Sequence, residues 1–126
     1  MSILVSVLVM MHSVSCVWLL MGEWLPDSWI RNPEYGLNSL YGVEELEDGT
    51  FIADRTTKYI TAFYWAVTTL ATVGYGDIKG FTYSEYLFNM FVEFIGIAFF
   101  SFVMGSINNI FLIDSSSNEA EESKLE

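Results

Sequence analysis

The chain has 126 residues, 52 % of them hydrophobic and 17 % aromatic, with 17 % charged and a formal net charge of −11. So apolar a composition within one domain's length speaks for a membrane protein rather than a soluble one. The five Lys and Arg against sixteen acids exclude the clustered basic surface that a nucleic-acid partner needs.

The acids gather between Gly22 and Thr57 and at the C-terminal end, leaving two long stretches almost uncharged. Such acids either raise the local concentration of cations or keep a hydrophobic protein soluble. No nucleophile–base pair and no cluster of metal ligands stands out, so neither an enzyme nor a bound cofactor is expected.

Residues 2–25 predict the first membrane helix. At 1.5 Å per residue, ~24 residues reach ~36 Å, enough for a ~30 Å hydrocarbon core. The stretch has no basic leader and runs on too long for a signal peptide. His12 is its one ionisable side chain before Glu23. A neutral His bonded to a neighbouring helix is the expectation, with a titrating role as the alternative. Cys16 stands alone and reads as a small buried hydrophobe, and Trp18 and Trp24 suit an aromatic belt at the outer face.

Residues 26–56 read as an extracellular loop holding Pro26, Pro33, several glycines and the acidic run Glu44-Glu45-Leu46-Glu47-Asp48-Gly49. Its length predicts short helical pieces. Trp29, Tyr35, Leu37, Leu40 and Tyr41 are candidates to pack it down. The acidic run reads as a solvated turn, since its spacing does not fit an EF-hand loop.

Residues 57–71 predict a short helix capped by Thr56 or Thr57. At ~20 Å it cannot span the membrane. Non-helical backbone after it, at membrane depth, is tolerated only where it lines a water-filled cavity. Thr72-Val73-Gly74-Tyr75-Gly76-Asp77 has the residues for that task. A dehydrated cation in a low-dielectric slab costs tens of kcal/mol unless oxygens replace its water. Backbone carbonyls supply them only if they all face one way. Left-handed residues inserted between right-handed ones achieve this, and Gly74 and Gly76 adopt positive φ at no steric cost. Thr72 can add a ring of hydroxyls, while Val73 and Tyr75 point into the protein. One chain cannot encircle an ion, so symmetry-related copies are required. The alternative is an ordinary Gly-rich turn.

Around this loop, Tyr64 and Trp65 are expected as a cuff against Tyr75, and Thr68 and Thr69 as hydrogen-bond partners of the loop from behind. The C-terminal end of the short helix would aim its partial negative charge at the cavity. Asp77 either attracts cations or bonds toward Trp65 and pins the loop.

Residues 83–113 predict the second membrane helix, ~46 Å long and therefore tilted or protruding. Gly96 and Gly105 each cost ~1 kcal/mol against Ala and imply close packing or a gating bend. Steps of three and four from Gly96 place Ile97, Phe100, Ser101, Met104 and Asn108 on one stripe, expected to face the cavity and inner gate; packing between helices is the alternative. Glu93 must be protonated or paired, either supporting the filter or bonded incidentally. Residues 114–126 read as a disordered tail. Arg31, Arg55, Lys58 and Lys79 in the central loop, against Lys124 alone in the tail, run counter to the positive-inside rule. The loop is nevertheless expected to face outward, with both termini cytoplasmic.

The hexapeptide at 72–77 resembles the selectivity filter of potassium channels, whose TVGYG loops come together as four. Residues 2–113 resemble the pore module of voltage-gated-like potassium channels. Within them the chain looks like the cyclic-nucleotide-gated, hyperpolarisation-activated, ether-à-go-go and plant inward-rectifier group. The carrying motifs are His12…Cys16-Val17-Trp18, Asp27-Ser28-Trp29-Ile30, Tyr59-Ile60 through Tyr64-Trp65, Phe94-Ile95-Gly96 and Met104-Gly105-Ser106-Ile107. The resemblance implies an all-α membrane protein with two transmembrane helices, a re-entrant pore helix and a filter loop, assembled with three identical subunits in a lipid bilayer. It implies a pore domain over 1–113 and potassium as the permeant ion, bound by the carbonyls of Thr72, Val73, Gly74 and Tyr75 and the Thr72 hydroxyl. Phe100 and Met104 match its cavity-lining positions. Voltage-sensing helices and a cyclic-nucleotide-binding domain have no counterpart in these residues, and Glu93 stands where an apolar residue is usual. The expectation is an excised or pore-only channel. A weakly selective cation pore and a non-conducting assembly subunit with a vestigial filter are the alternatives.

Overall fold

The structure, a computed structural model, describes residues 2–42 and 44–125; positions 1 and 126, the outer ends of the expected pore domain and tail, lie outside the described residues. Helix α1 spans Ser2–Trp24. The chain then turns at Asp27, whose φ of 55° is rare outside glycine. Asn32 Oδ1 accepts from the backbone N–H of Glu34 (3.1 Å) and Tyr35 (2.8 Å), forming an Asx turn into the short helix α2, Leu37–Tyr41.

Strands β1, Glu44–Glu45, and β2, Phe51–Ile52, pair antiparallel. Asp48 Oδ1 accepts from Thr50 N (3.0 Å) and Thr50 Oγ1 (2.6 Å), and Gly49 takes φ 84° to close the turn. The acidic run is thus the tip of a hairpin, a small β element in a chain expected to be all helical.

Helix α3 spans Arg55–Leu70, two residues earlier at its start than expected. Its cap is Asp54, not Thr56 or Thr57; the carboxylate accepts from Thr57 N. An anion at the positive end of a helix outcompetes a neutral hydroxyl. With 16 residues, α3 is ~24 Å long and cannot cross a bilayer.

Helix α4 runs over Tyr83–Leu125 without a break. The expected end at residue 113 and disordered tail after it are corrected: Asp114 to Leu125 continues the helix, exposed along its length. Adding residues to a formed helix needs no new nucleus, and Ala120, Glu121, Glu122 and Lys124 are good helix formers. Helices α1 and α4 are both long and apolar enough to cross a membrane, and both are mostly exposed in the single chain. A soluble protein would bury such faces.

The elements meet at a tryptophan stack. Trp18 of α1, 0 % exposed, lies face to face with Trp65 of α3 (centroids 4.0 Å apart) and with Trp29 of the loop (5.6 Å). Phe88 of α4 packs 6.2 Å from both Trp18 and Trp65. Trp29 Nε1 donates to Trp18 O (2.9 Å), and Ser28 Oγ donates to Gly22 O. This approach requires Gly22, because a Cβ there would stand 2.5 Å from Trp29 Nε1. Trp18 therefore does not serve the aromatic belt; Trp24 is exposed.

Farther down α1, His12 Nδ1 and the Tyr59 hydroxyl of α3 share a 2.7 Å hydrogen bond, the expected tie to a neighbouring helix. Cys16, expected buried, is exposed, with its sulfur 3.5 Å from His12 Nε2. Lys58, in the first turn of α3, pairs with Glu23 of α1 at 2.7 Å, so this cation is neutralised locally.

Candidate functional site

The last turn of α3 builds the loop that follows it. Ala71 N bonds to Val67 O (3.0 Å) and Thr72 N to Thr69 O (3.2 Å), while Val73 N and Gly74 N both bond to Thr68 O (2.9 and 3.1 Å). Thr68 and Thr69 do support the loop, but through main-chain carbonyls; the Thr68 hydroxyl donates to Trp65 O (3.0 Å). Three consecutive loop N–H groups therefore point back at α3. In a trans peptide the preceding carbonyl points the opposite way, and no cis bond occurs among the described residues. The carbonyls of Thr72 and Val73 thus face away from α3.

Positive φ recurs at every second residue: Thr72 (62°), Gly74 (60°) and Gly76 (76°). This is the alternation of hand that turns successive carbonyls to one side. A Cβ added to Gly74 or Gly76 would meet nothing within 4 Å, so backbone conformation and not space demands glycine. Thr72 does the same without glycine's freedom, a β-branched residue in a conformation costing about 1–3 kcal/mol.

The expected cuff is not formed within one chain. Tyr75 is 72 % exposed and Val73 54 %, while Trp65 turns away into the tryptophan stack, where Trp18 and Trp29 supply more aromatic contact. Tyr64 is likewise exposed, at 40 %. Asp77 lies beside Tyr64.

Behind the loop, Thr69, Thr72, Gly74, Glu93 and Ile97 line a hollow of about 250 Å³. Glu93 is exposed and accepts from Asn89 Nδ2 at 2.7 Å, a partner one helical turn away. Gly96 sits against the end of α3, where its Cβ would stand 3.2 Å from Leu70 Cα. Gly105 has nothing within 4 Å. Ile97, Phe100, Ser101, Met104 and Asn108 are all exposed or partly exposed in the single chain, with Ser101 Oγ donating to Ile97 O (2.8 Å).

Sequence reasoning missed Glu85. Its side chain is fully buried where α4 begins, beside the loop's exit. The signal was present: Thr82 and Glu85 have the spacing of a capping box, with Glu85 N donating to Thr82 Oγ1 (3.3 Å) and Thr82 N to Glu85 Oε2 (3.1 Å).

Residues 41–112, more than half of the chain, match a family model described as an ion channel. The chain is 28 % identical over 102 residues to a potassium channel, AKT1, of Oryza sativa subsp. indica, covering 79 % of this chain and 10 % of the relative. It is 27 % identical over 119 residues to a potassium channel, KOR1, of Oryza sativa subsp. japonica, covering 90 % and 13 %. It is 28 % identical over 105 residues to a voltage-gated inwardly rectifying potassium channel, KCNH6, of Gallus gallus, covering 79 % and 8 %. These matches fall in the group that the sequence motifs resemble. The chain spans about a tenth of the length of these relatives.

Proposed function

The chain belongs to the ion channel family, and from that premise we propose that it is one subunit of a homotetrameric, potassium-selective pore that conducts passively. The observation that carries this reading is the alternation of positive φ at Thr72, Gly74 and Gly76 on a backbone whose N–H groups are tied to α3. Four such loops about an axis present rings of carbonyl oxygen from Thr72, Val73, Gly74 and Tyr75, with the Thr72 hydroxyl ring at the inner end. These oxygens stand in for the hydration shell of a monovalent cation.

Helix α3 is the re-entrant element. Its C-terminal end directs partial negative charge toward the hydrated ion below the filter. Asp77 and Tyr64 hold the outer mouth, and Glu93 with Asn89 supports the filter from behind. The stripe Ile97, Phe100, Ser101, Met104 and Asn108 lines the cavity. Gly105, free of neighbours, serves as the gating joint, whereas Gly96 is held against Leu70. The loop between α1 and α3 is extracellular and both termini are cytoplasmic. The relatives' names as potassium channels support the choice of ion.

The test is ion flux from liposomes. Gly74→Ala forces an L side chain onto a φ of 60°, costing about 1–2 kcal/mol in each of four chains. Potassium flux in the unaltered protein and its loss in an intact Gly74→Ala tetramer are expected. Equal flux in both refutes the filter assignment. A reversal potential insensitive to exchanging potassium for sodium would favour a weakly selective pore, and no flux with intact tetramers a vestigial filter.

A further inference from the structure

Glu85 lies outside the filter and the cavity, yet it is the most fully engaged acidic side chain among the described residues. It is 0 % exposed, at the first turn of α4. Its Oε2 accepts from Phe81 N (2.7 Å) and Thr82 N (3.1 Å), on the segment that leaves the filter. Its Oε1 accepts from Trp29 N (2.8 Å), 56 residues away on the extracellular loop. Three main-chain donors thus converge on one carboxylate. The site is shaped for it: a Cβ on Gly80 would stand 2.5 Å from Glu85 Cβ, so only glycine lets the exit segment close over the side chain.

Capping α4 requires only the bonds to its own turn. The bond to Trp29 does something else. Trp29 is stacked on Trp18, which is stacked on Trp65 of α3. The filter leaves α3 at Leu70 and returns toward α4 through Lys79 and Gly80. Both ends of the filter are therefore referred to one rigid body, the entrance through α3 and the exit through Glu85.

We propose that Glu85 is a positioning residue for conduction, a clamp that fixes the outer end of the filter to the Trp29 loop and so holds the carbonyl rings at the spacing selectivity needs. This rests on the channel reading above.

Glu85→Gln tests it. The amide keeps one acceptor oxygen and presents an NH2 to a backbone N–H, so either Trp29 or the Phe81–Thr82 pair loses its partner. Loss of one charge-assisted bond raises the loosened population by about tenfold or more. The expected result is a tetramer assembled as in the unaltered protein, with faster hydrogen exchange at the freed amides and a lower ratio of potassium to sodium flux. A role confined to folding would lower the yield of tetramers and leave their flux ratio unchanged; that result overturns the proposal. Should Glu85→Gln fail to assemble, Glu85→Asp retains the charge and the bonds within the turn but falls one methylene short of Trp29. Faster exchange at Trp29 alone, with a reduced flux ratio, supports the clamp. In the unaltered protein, exchange at Phe81 and Thr82 as fast as in an open loop overturns it. An unaltered chain that carries no potassium overturns the channel reading and this one together. A conducting chain whose variants match it in flux ratio overturns this one alone.

Discussion

Replacing Gly96 with alanine sets two effects of similar size against each other. In an isolated helix the change stabilises by about 1 kcal/mol, because glycine loses the most backbone freedom on folding. In this fold the new Cβ would stand 3.2 Å from Leu70 Cα and 3.4 Å from both Leu70 Cδ2 and Leu70 O. Carbon atoms prefer about 3.5–4.0 Å. Two of the three opposing atoms are backbone, so they cannot swing aside as a side chain does. They belong to the last turn of α3, whose carbonyls at Thr68 and Thr69 hold the loop that follows. Overpacking of this kind costs about 1–3 kcal/mol, giving a net loss of roughly 0–2 kcal/mol per chain after the helix gain. Gly105→Ala is the matched control, since nothing lies within 4 Å of its Cβ in the chain. Thermal dissociation of the proposed tetramer, read beside liposome flux, separates the terms. Gly105→Ala is expected to hold or raise the transition temperature, and Gly96→Ala to lower it relative to that control and to reduce flux. If Gly96→Ala stabilises as much as Gly105→Ala and flux is unchanged, the close crossing of α3 and α4 is not what glycine serves at position 96.

Two further predictions concern α3. Thr57 holds the Asp54 carboxyl below its usual value of 3.8. A depressed pKa in the folded state contributes stability that is present above that value and lost as pH falls below it. Acid destabilisation below pH 3.8 should therefore be shallower in Asp54→Asn, which caps without titrating, as read from transition temperature against pH. Tyr59→Phe removes the hydroxyl bonded to His12 Nδ1. Within a membrane such bonds average about 0.6 kcal/mol and reach ~1.7, so a small fall in transition temperature with unchanged flux is expected. A loss of flux instead would assign His12 a role in conduction.

What could be read in advance was what local chemistry dictates. Two long apolar runs imply two spanning helices, and alternating glycines in Thr72–Gly76 imply the alternating backbone. The left-handed Thr72 was not legible, because nothing in a threonine announces a φ of 62°; it is imposed by its own bond to Thr69 O and those of Val73 and Gly74 to Thr68 O. Nor was the partner of Trp65. Its stacking on Trp18 joins residues distant in the chain, and only the crossing of α1 and α3 brings them together. The helical continuation past Ile113 was misread from composition, since polar residues propagate a helix already begun. Glu85 was legible as the fourth residue of Thr82-Tyr83-Ser84-Glu85, but its reach to Trp29 belongs to tertiary structure.

Three of the four tryptophans stand parallel within one joint, while Trp24 is exposed. Indole rings so close couple their electronic transitions, which gives the joint between α1, the loop after it and α3 its own near-ultraviolet dichroic signature. The protein carries a built-in optical gauge beside the Thr72–Asp77 loop, readable without any label.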